Sequence, residues 1–191
     1  MRVIAGIYRS RIMKSLKGLA LRPTSDRLRE TLFNVLGDRL DRARFIDVFA
    51  GTGAVGIEAI SRGAIEVVFI EKHAPAAALI RRNLESLEIR SGTTVLAADA
   101  TRGLEKLAAK RQHGAERYDF VFIDPPYAET EAYTRVLRYL GESPLLAPEA
   151  VVIVEHRREF SLPEAGPLRR TRLLKQGDAA LSFFSVHGQP T

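Results

Sequence analysis

Asp124-Pro125-Pro126-Tyr127 follows directly on an apolar run, Tyr118-Asp119-Phe120-Val121-Phe122-Ile123. It places a carboxylate, two ring-locked backbone units and an aromatic face at what reads as a strand end. Proline removes backbone freedom, so the Asp124 carboxylate and the Pro125 carbonyl are acceptors held in place. Two fixed acceptors and a flat ring suit a planar exocyclic amine. The lone pair of such an amine is delocalised into its ring, which makes it a poor nucleophile. Accepting both amine hydrogens localises the pair and stabilises charge that develops on nitrogen. Tyr127 offers the stacking face, and a base presented this way must be flipped out of a helix or lie in a loop. Asp-Pro pairs also mark ordinary turns, so the reading needs support elsewhere in the chain.

A second constellation supplies it. Asp47-Val48-Phe49-Ala50-Gly51-Thr52-Gly53-Ala54-Val55-Gly56 contains G-x-G-x-x-G between a strand pattern and a helix pattern. Glycines there permit a tight turn and close backbone approach to a ligand, whose anionic part a helix N-terminus favours. Glu71 stands twenty residues after Gly51 and can accept from a ribose diol. Both NAD and S-adenosylmethionine carry that diol. Asp47 leans toward the latter, because a carboxylate repels pyrophosphate but can hold an ammonium directly or through water. Asp47 could instead bind loop amides at the strand end. Asp99 can accept an adenine amine or cap the helix that follows it. Phe49 within the loop, Lys72 beside Glu71 and Ala100 beside Asp99 are assigned to the same ligand, as are Arg22 and Thr24 just before a helix start.

These residues need elements to position them. Thr24 or Ser25 caps a predicted helix running to Leu40, with Leu28, Leu32, Val35, Leu36 and Leu40 as its apolar stripe. Strands at 45–49, 66–70, 93–97, 118–123 and 150–155 then alternate with helices at 53–61, 74–87, 101–111 and 131–140. Each strand is a short apolar run with little alternation, the pattern of a parallel sheet covered on both faces. The runs 168–175 and 180–186 are joined by a short turn and must pair antiparallel. The expected fold is α/β and Rossmann-like: a mostly parallel seven-stranded sheet with an antiparallel C-terminal hairpin. At the other end, residues 2–8 and 12–16 read as a β-hairpin turning at Arg9-Ser10-Arg11.

Charge marks that first hairpin out. The chain of 191 residues carries a net charge of +6, yet residues 1–44 hold eleven Lys and Arg against four Asp and Glu. The first 22 residues contain no acid. A concentrated basic segment on a near-neutral body fits a polyanionic partner. Arg2, Arg9, Arg11, Lys14 and Lys17 are the candidate phosphate contacts, and Tyr8 either stacks on a base or packs the hairpin. No cysteine is present, which excludes disulfides and thiolate metal sites. No apolar run approaches a membrane span and no signal-peptide pattern opens the chain, so a cytoplasmic location is expected. His73, His113, His156 and His187 lack metal-ligand spacing and are expected to be solvated or capping, so no metal is expected.

Taken together these motifs resemble the class I S-adenosylmethionine-dependent methyltransferases with an (Asp/Asn)-Pro-Pro-(Tyr/Phe) motif. The narrower resemblance is to the RsmD-type 16S ribosomal RNA guanine-N2 methyltransferases. It rests on the block from Leu21-Arg22-Pro23-Thr24-Ser25-Asp26-Arg27 to Asn34, on Asp47 to Gly53, on Ser61-Arg62-Gly63-Ala64 and on Asp124-Pro125-Pro126-Tyr127. The resemblance implies residues 1–20 as an RNA-binding extension and 21–191 as the methyltransferase domain. It implies methylation of one guanine of 16S RNA, in a 30S subunit or an assembly intermediate; a monomer is the default expectation. Three other readings stand beside it: a DNA adenine-N6 or other base-amine methyltransferase, an NAD-dependent oxidoreductase, and an RNA-binding module without activity. Asp47 and the antiparallel tail weigh against the oxidoreductase. The small size weighs against DNA sequence recognition, and the intact rim weighs against an inactive module.

Overall fold

Among the described residues, seven strands, numbered β1 (Arg44–Val48), β2 (Glu66–Glu71), β3 (Thr93–Ala97), β4 (Tyr118–Ile123), β5 (Leu146–Arg157), β6 (Arg169–Gln176) and β7 (Ala179–Ser185), lie in the order β3-β2-β1-β4-β5-β7-β6. The computed structural model describes residues 1–15, 24–110 and 117–186. The chain divides into two units, Met1–Asp99 and Ala100–Thr191.

In the first unit, helix α1 spans Asp26–Leu36 and Ser25 caps it, its hydroxyl accepting from Leu28 N–H at 3.1 Å. The expected single helix to Leu40 is divided. Gly37 sits at φ 52°, which ends the α-helix, and Gly37–Leu40 continues as one 3₁₀ turn. Strand β1 (Arg44–Val48), helix α2 (Ala54–Ser61), strand β2 (Glu66–Glu71), helix α3 (Ala74–Ser86) and strand β3 (Thr93–Ala97) follow in the expected alternation. β1 pairs parallel with β2, and β2 with β3. β1 and β2 are buried almost throughout. Coverage on both faces does not extend to β3, which is half exposed because it is the sheet edge.

The second unit holds α4 (Ala100–Lys110), β4 (Tyr118–Ile123), α5 (Thr130–Glu142), β5 (Leu146–Arg157), β6 (Arg169–Gln176) and β7 (Ala179–Ser185). β5 is longer than its apolar centre suggests. It pairs parallel with β4, with a register shift between Tyr118 and Phe120 that lets Leu146 join the ladder. β6 and β7 form the expected antiparallel hairpin, and β7 inserts between β5 and β6. β7 is therefore buried along its length while β6 is an exposed edge. Arg169, Arg170, Arg172 and Lys175 on that edge discourage pairing with another chain. His156 is neither solvated nor a cap. It is buried in β5, Nε2 lies 2.9 Å from Ser182 Oγ on β7, and burial lowers its pKa. No helix among the described residues is long and apolar enough to cross a membrane.

The N-terminal arm differs from a regular hairpin. One antiparallel bridge joins Arg2 to Ile12, and the chain turns from Ala5 to Ser10, earlier than expected. The cause is docking. Ile4 and Ala5 donate their backbone N–H groups to the Glu58 carboxylate at 2.8 and 3.0 Å. Ile7 N–H donates to the Ser61 carbonyl at 2.8 Å, and Tyr8 N–H to Ser61 Oγ at 3.0 Å. Gly6, at φ 80°, lies so close that any Cβ would overlap the Ser61 carbonyl. Val3 and Met13 of the arm are also buried.

Glu58 is itself fully buried, with Arg62 Nε at 2.8 Å and the buried Arg29 Nε at 3.7 Å. Arg29 Nη2 donates to the Arg2 carbonyl at 2.7 Å. Removing one member of such a network strands an uncompensated charge. Glu58→Gln is therefore expected to cost about 3–5 kcal/mol, measured by urea denaturation against the parent chain.

Candidate cofactor loop and nucleobase rim

The loop after β1 is shaped by three left-handed residues. Gly51 has φ 53° and Gly53 φ 79°, which glycine tolerates freely, but Phe49 has φ 63°. A bulky residue in that region costs of order 1–3 kcal/mol, and such strain gathers at functional sites. The glycines have different duties. A Cβ on Gly51 would meet open space, with only the Phe49 carbonyl at 4.0 Å, so the backbone there is open to an approaching ligand. A Cβ on Gly56 would run into the Phe69 ring, so Gly56 serves helix-on-strand packing.

Two carboxylates hold the loop. Glu71, at the end of β2 and buried, accepts from Gly51 N–H at 2.8 Å and from His73 N–H at 2.8 Å. Each oxygen keeps a second lone pair for a hydroxyl donor. Asp47 lies beside β2 in register with Phe69 and accepts from Gly56 N–H at 2.9 Å. It is 2% exposed, and burial above all raises its pKa to about 7, with the Glu71 charge adding to the effect. A buried carboxylate in that condition is relieved by a cation. The donor set thus fits S-adenosylmethionine: Asp47 toward its ammonium, Gly51 as open backbone, Glu71 toward its ribose.

The other expected donor residues differ in exposure. Phe49 is half exposed and Lys72 exposed. Ala98 N–H donates to the Glu71 carbonyl at 3.1 Å, which brings the Asp99-Ala100 end of β3 alongside β2. Asp99 is exposed and immediately precedes α4, so it stands where both a ligand contact and a helix cap are open to it. Thr24 is buried just before the Ser25 cap. Arg22 and Lys17 lie outside the described residues, as do His113 and His187.

The rim is built in the second unit. Asp124 follows the last residue of β4 and is half exposed; Pro125 is buried, Pro126 exposed and Tyr127 half exposed. Glu129 N–H donates to the Pro126 carbonyl at 2.7 Å, closing the turn before α5. Sequence reasoning missed two neighbours. The Arg157 guanidinium sits 4.9 Å from the Tyr127 ring centroid, a contact worth about 0.5–1 kcal/mol at an exposed site. Tyr133 is buried behind the rim and donates to the Glu155 carbonyl at 3.3 Å. Its pKa is pushed up by burial first and by the Asp124 charge second, so Asp124 acts on it electrostatically. Neither residue has a local signature, because each meets the rim through the fold.

On the arm, Arg2, Arg9, Arg11 and Lys14 are exposed and Tyr8 is half exposed. Ile7 and Ile12 stand among them, 79% and 80% exposed.

Over residues 1–185 the sequence matches the family described as Conserved hypothetical protein 95. The chain belongs to that family. Ribosomal RNA small subunit methyltransferase D of Haemophilus influenzae is 34% identical over 161 residues, covering 84% of this chain and 81% of the relative. The Escherichia coli K12 protein of the same name is 34% identical over 162 residues, covering 85% and 77%. The solved structure of a hypothetical protein from Thermus thermophilus superposes with a TM-score of 0.80 at 30% identity, covering 97% of this chain and 99% of that one. Family membership therefore extends over the arm, the loop and the rim.

Asp47 generates a pH dependence with a definite sign. Its folded pKa of about 7 lies above the ordinary 3.8, and an ammonium ligand favours the ionised form. Below pH 7 binding must first release the proton. Affinity for S-adenosylhomocysteine is expected to fall as pH drops below about 7, by up to about tenfold per unit. Calorimetry between about pH 5.5 and 8.5 measures it; a flat profile removes Asp47 from the ligand's ammonium.

Proposed function

We propose that this protein methylates the N2 amine of a guanine in 16S ribosomal RNA, using S-adenosylmethionine. The chain is an S-adenosylmethionine-dependent methyltransferase, and its substrate is small-subunit ribosomal RNA. The observation that carries the reading is the rim: a half-exposed Asp124 at a strand end, followed by a buried proline and a ring braced by Arg157. Its membership of a family with small-subunit rRNA methyltransferase relatives supports the RNA target.

When bound, the donor supplies an electrophilic methyl group. The residues of this chain do the remaining work. Asp47, Gly51, Glu71 and Asp99 hold the donor, with Phe49, Gly53, Lys72 and Ala100 around them and Arg22 and Thr24 completing the set. Asp124 and the Pro125 carbonyl each accept one amine hydrogen, turning the lone pair outward and stabilising the positive charge that builds on nitrogen. Tyr127 fixes the tilt of the base, and Pro126 keeps the turn from yielding. Orientation of this kind supplies at most about 7–11 kcal/mol.

The arm carries the RNA contact through Arg2, Tyr8, Arg9, Arg11, Lys14 and Lys17. The exposed Ile7 and Ile12 between these cations suit a partner that offers apolar surface as well as phosphate. That favours a 30S subunit or an assembly intermediate over naked duplex. The protein works as a monomer in the cytoplasm.

Asp124→Ala is expected to abolish methyl incorporation while S-adenosylhomocysteine still binds; near-normal turnover would remove the catalytic assignment. The same assay on 30S subunits, naked 16S RNA and duplex DNA, with mass spectrometry of the modified nucleoside, ranks the substrates. N6-methyladenine as product would overturn the guanine reading. Replacing Arg9, Arg11 and Lys14 together by Ala should weaken RNA binding and shallow its salt dependence by roughly 0.7–0.9 for each phosphate no longer neutralised. An unchanged slope would move the RNA surface away from the arm.

A further inference from the structure

Asn83 in α3 is fully buried, and nothing in the chemistry above uses it. Its side-chain amide makes three hydrogen bonds, all to the main chain of other segments. Oδ1 accepts from Lys14 N–H at 2.9 Å. Nδ2 donates to the Lys14 carbonyl at 3.2 Å and to the Thr52 carbonyl at 3.2 Å. Lys14 belongs to the basic arm. Thr52 lies between Gly51 and Gly53 of the donor loop, and its hydroxyl also faces Met1 Sδ at 3.8 Å. One planar amide therefore joins the arm to the loop, 31 residues away on one side and 69 on the other.

An amide has fixed geometry. Its two N–H bonds and its carbonyl lie in one plane, so a shift of the Thr52 carbonyl turns the plane that also grips both backbone groups of Lys14. Burial excludes water as a substitute partner, and an unpaired group there is unfavourable. The other end of the arm is fastened separately, by Glu58 to Ile4 and Ala5. The arm is thus held by Glu58, by Ser61, by Arg29 and by Asn83, and of these side chains Asn83 grips the donor loop as well.

We infer that Asn83 is a positioning residue that couples the RNA-binding arm to occupancy of the donor loop. Filling the loop sets the arm for RNA, and RNA on the arm tightens the loop on the donor by the same factor, as linkage requires. The inference rests on the reading that the arm meets RNA.

The test measures affinity for 30S subunits with and without saturating S-adenosylhomocysteine, in the parent and in Asn83→Ala. The parent should bind at least about fivefold more tightly with the ligand present, within the usual range of coupling. In Asn83→Ala that ratio should fall to within about twofold of one, while each ligand still binds alone. Amide exchange on the parent needs no variant, so it decides the matter if Asn83→Ala does not fold. Lys14 N–H should exchange several-fold more slowly once S-adenosylhomocysteine is bound, with Ile4 and Ala5 changing less. Either a ratio near one in the parent, a ratio that survives in Asn83→Ala, or a Lys14 amide indifferent to the ligand overturns the coupling. In those cases both ligands still bind and the functional reading stands. Loss of RNA binding to the arm altogether would instead overturn both.

Discussion

The hydrogen bond from Gly51 N–H to the Glu71 carboxylate is the contact on which the donor end depends. It spans twenty residues and two parallel strands, and it exists because the β1/β2 register brings both strand tips to one level. Once it forms, the loop after Val48 must turn sharply, and Phe49 is held left-handed at φ 63°. The adjoining helix then starts directly above Asp47, whose carboxylate receives Gly56 N–H. A slip of one residue in the register would turn Asp47 to the opposite face and leave Glu71 out of reach.

The same unit accepts unusual burial of charge. Asp47, Glu58 and Arg29 are all within the packed interior. Desolvating such charges is costly unless partners compensate. Their retention accords with work that apolar groups cannot do. Asp47 fixes the start of α2 through Gly56 N–H, and Glu58 offers two acceptor oxygens to the N–H groups of Ile4 and Ala5 in the arm. The arm is held by this buried polar seat as well as by its own strand pairing.

Much of the fold was legible because parallel strands buried on both faces announce themselves as apolar runs, and helices by their caps and periodicity. Ser25 and the residues around Gly53 delimit elements by local chemistry that the sequence displays, whereas the helix read as running to Leu40 ends at Gly37. Errors arose where the neighbour, and not the run itself, decided the outcome. β3 has the composition of an inner strand but lies at an edge. β5 extends four residues earlier than its apolar core, at Leu146, because a register shift against β4 admits them. The arm reads as a hairpin by alternation and does pair antiparallel, but beside Ser61 and Glu58 its turn falls at Ala5 to Ser10, earlier than expected.

By itself the sequence determined the chemistry on offer: a carboxylate, prolines and a ring at one strand end, glycines and two acids at another, and a basic N-terminal segment. These signals are local, carried by residues a few positions apart. Only the tertiary structure decided that Glu71 closes the loop, that burial lifts Asp47 to about 7, that Arg157 covers Tyr127, and that Asn83 grips Lys14 and Thr52 together. The physical reason is the same in each case. Burial, and contact between residues twenty to seventy positions apart, are properties of the packed chain and leave no mark on the spacing of any one segment.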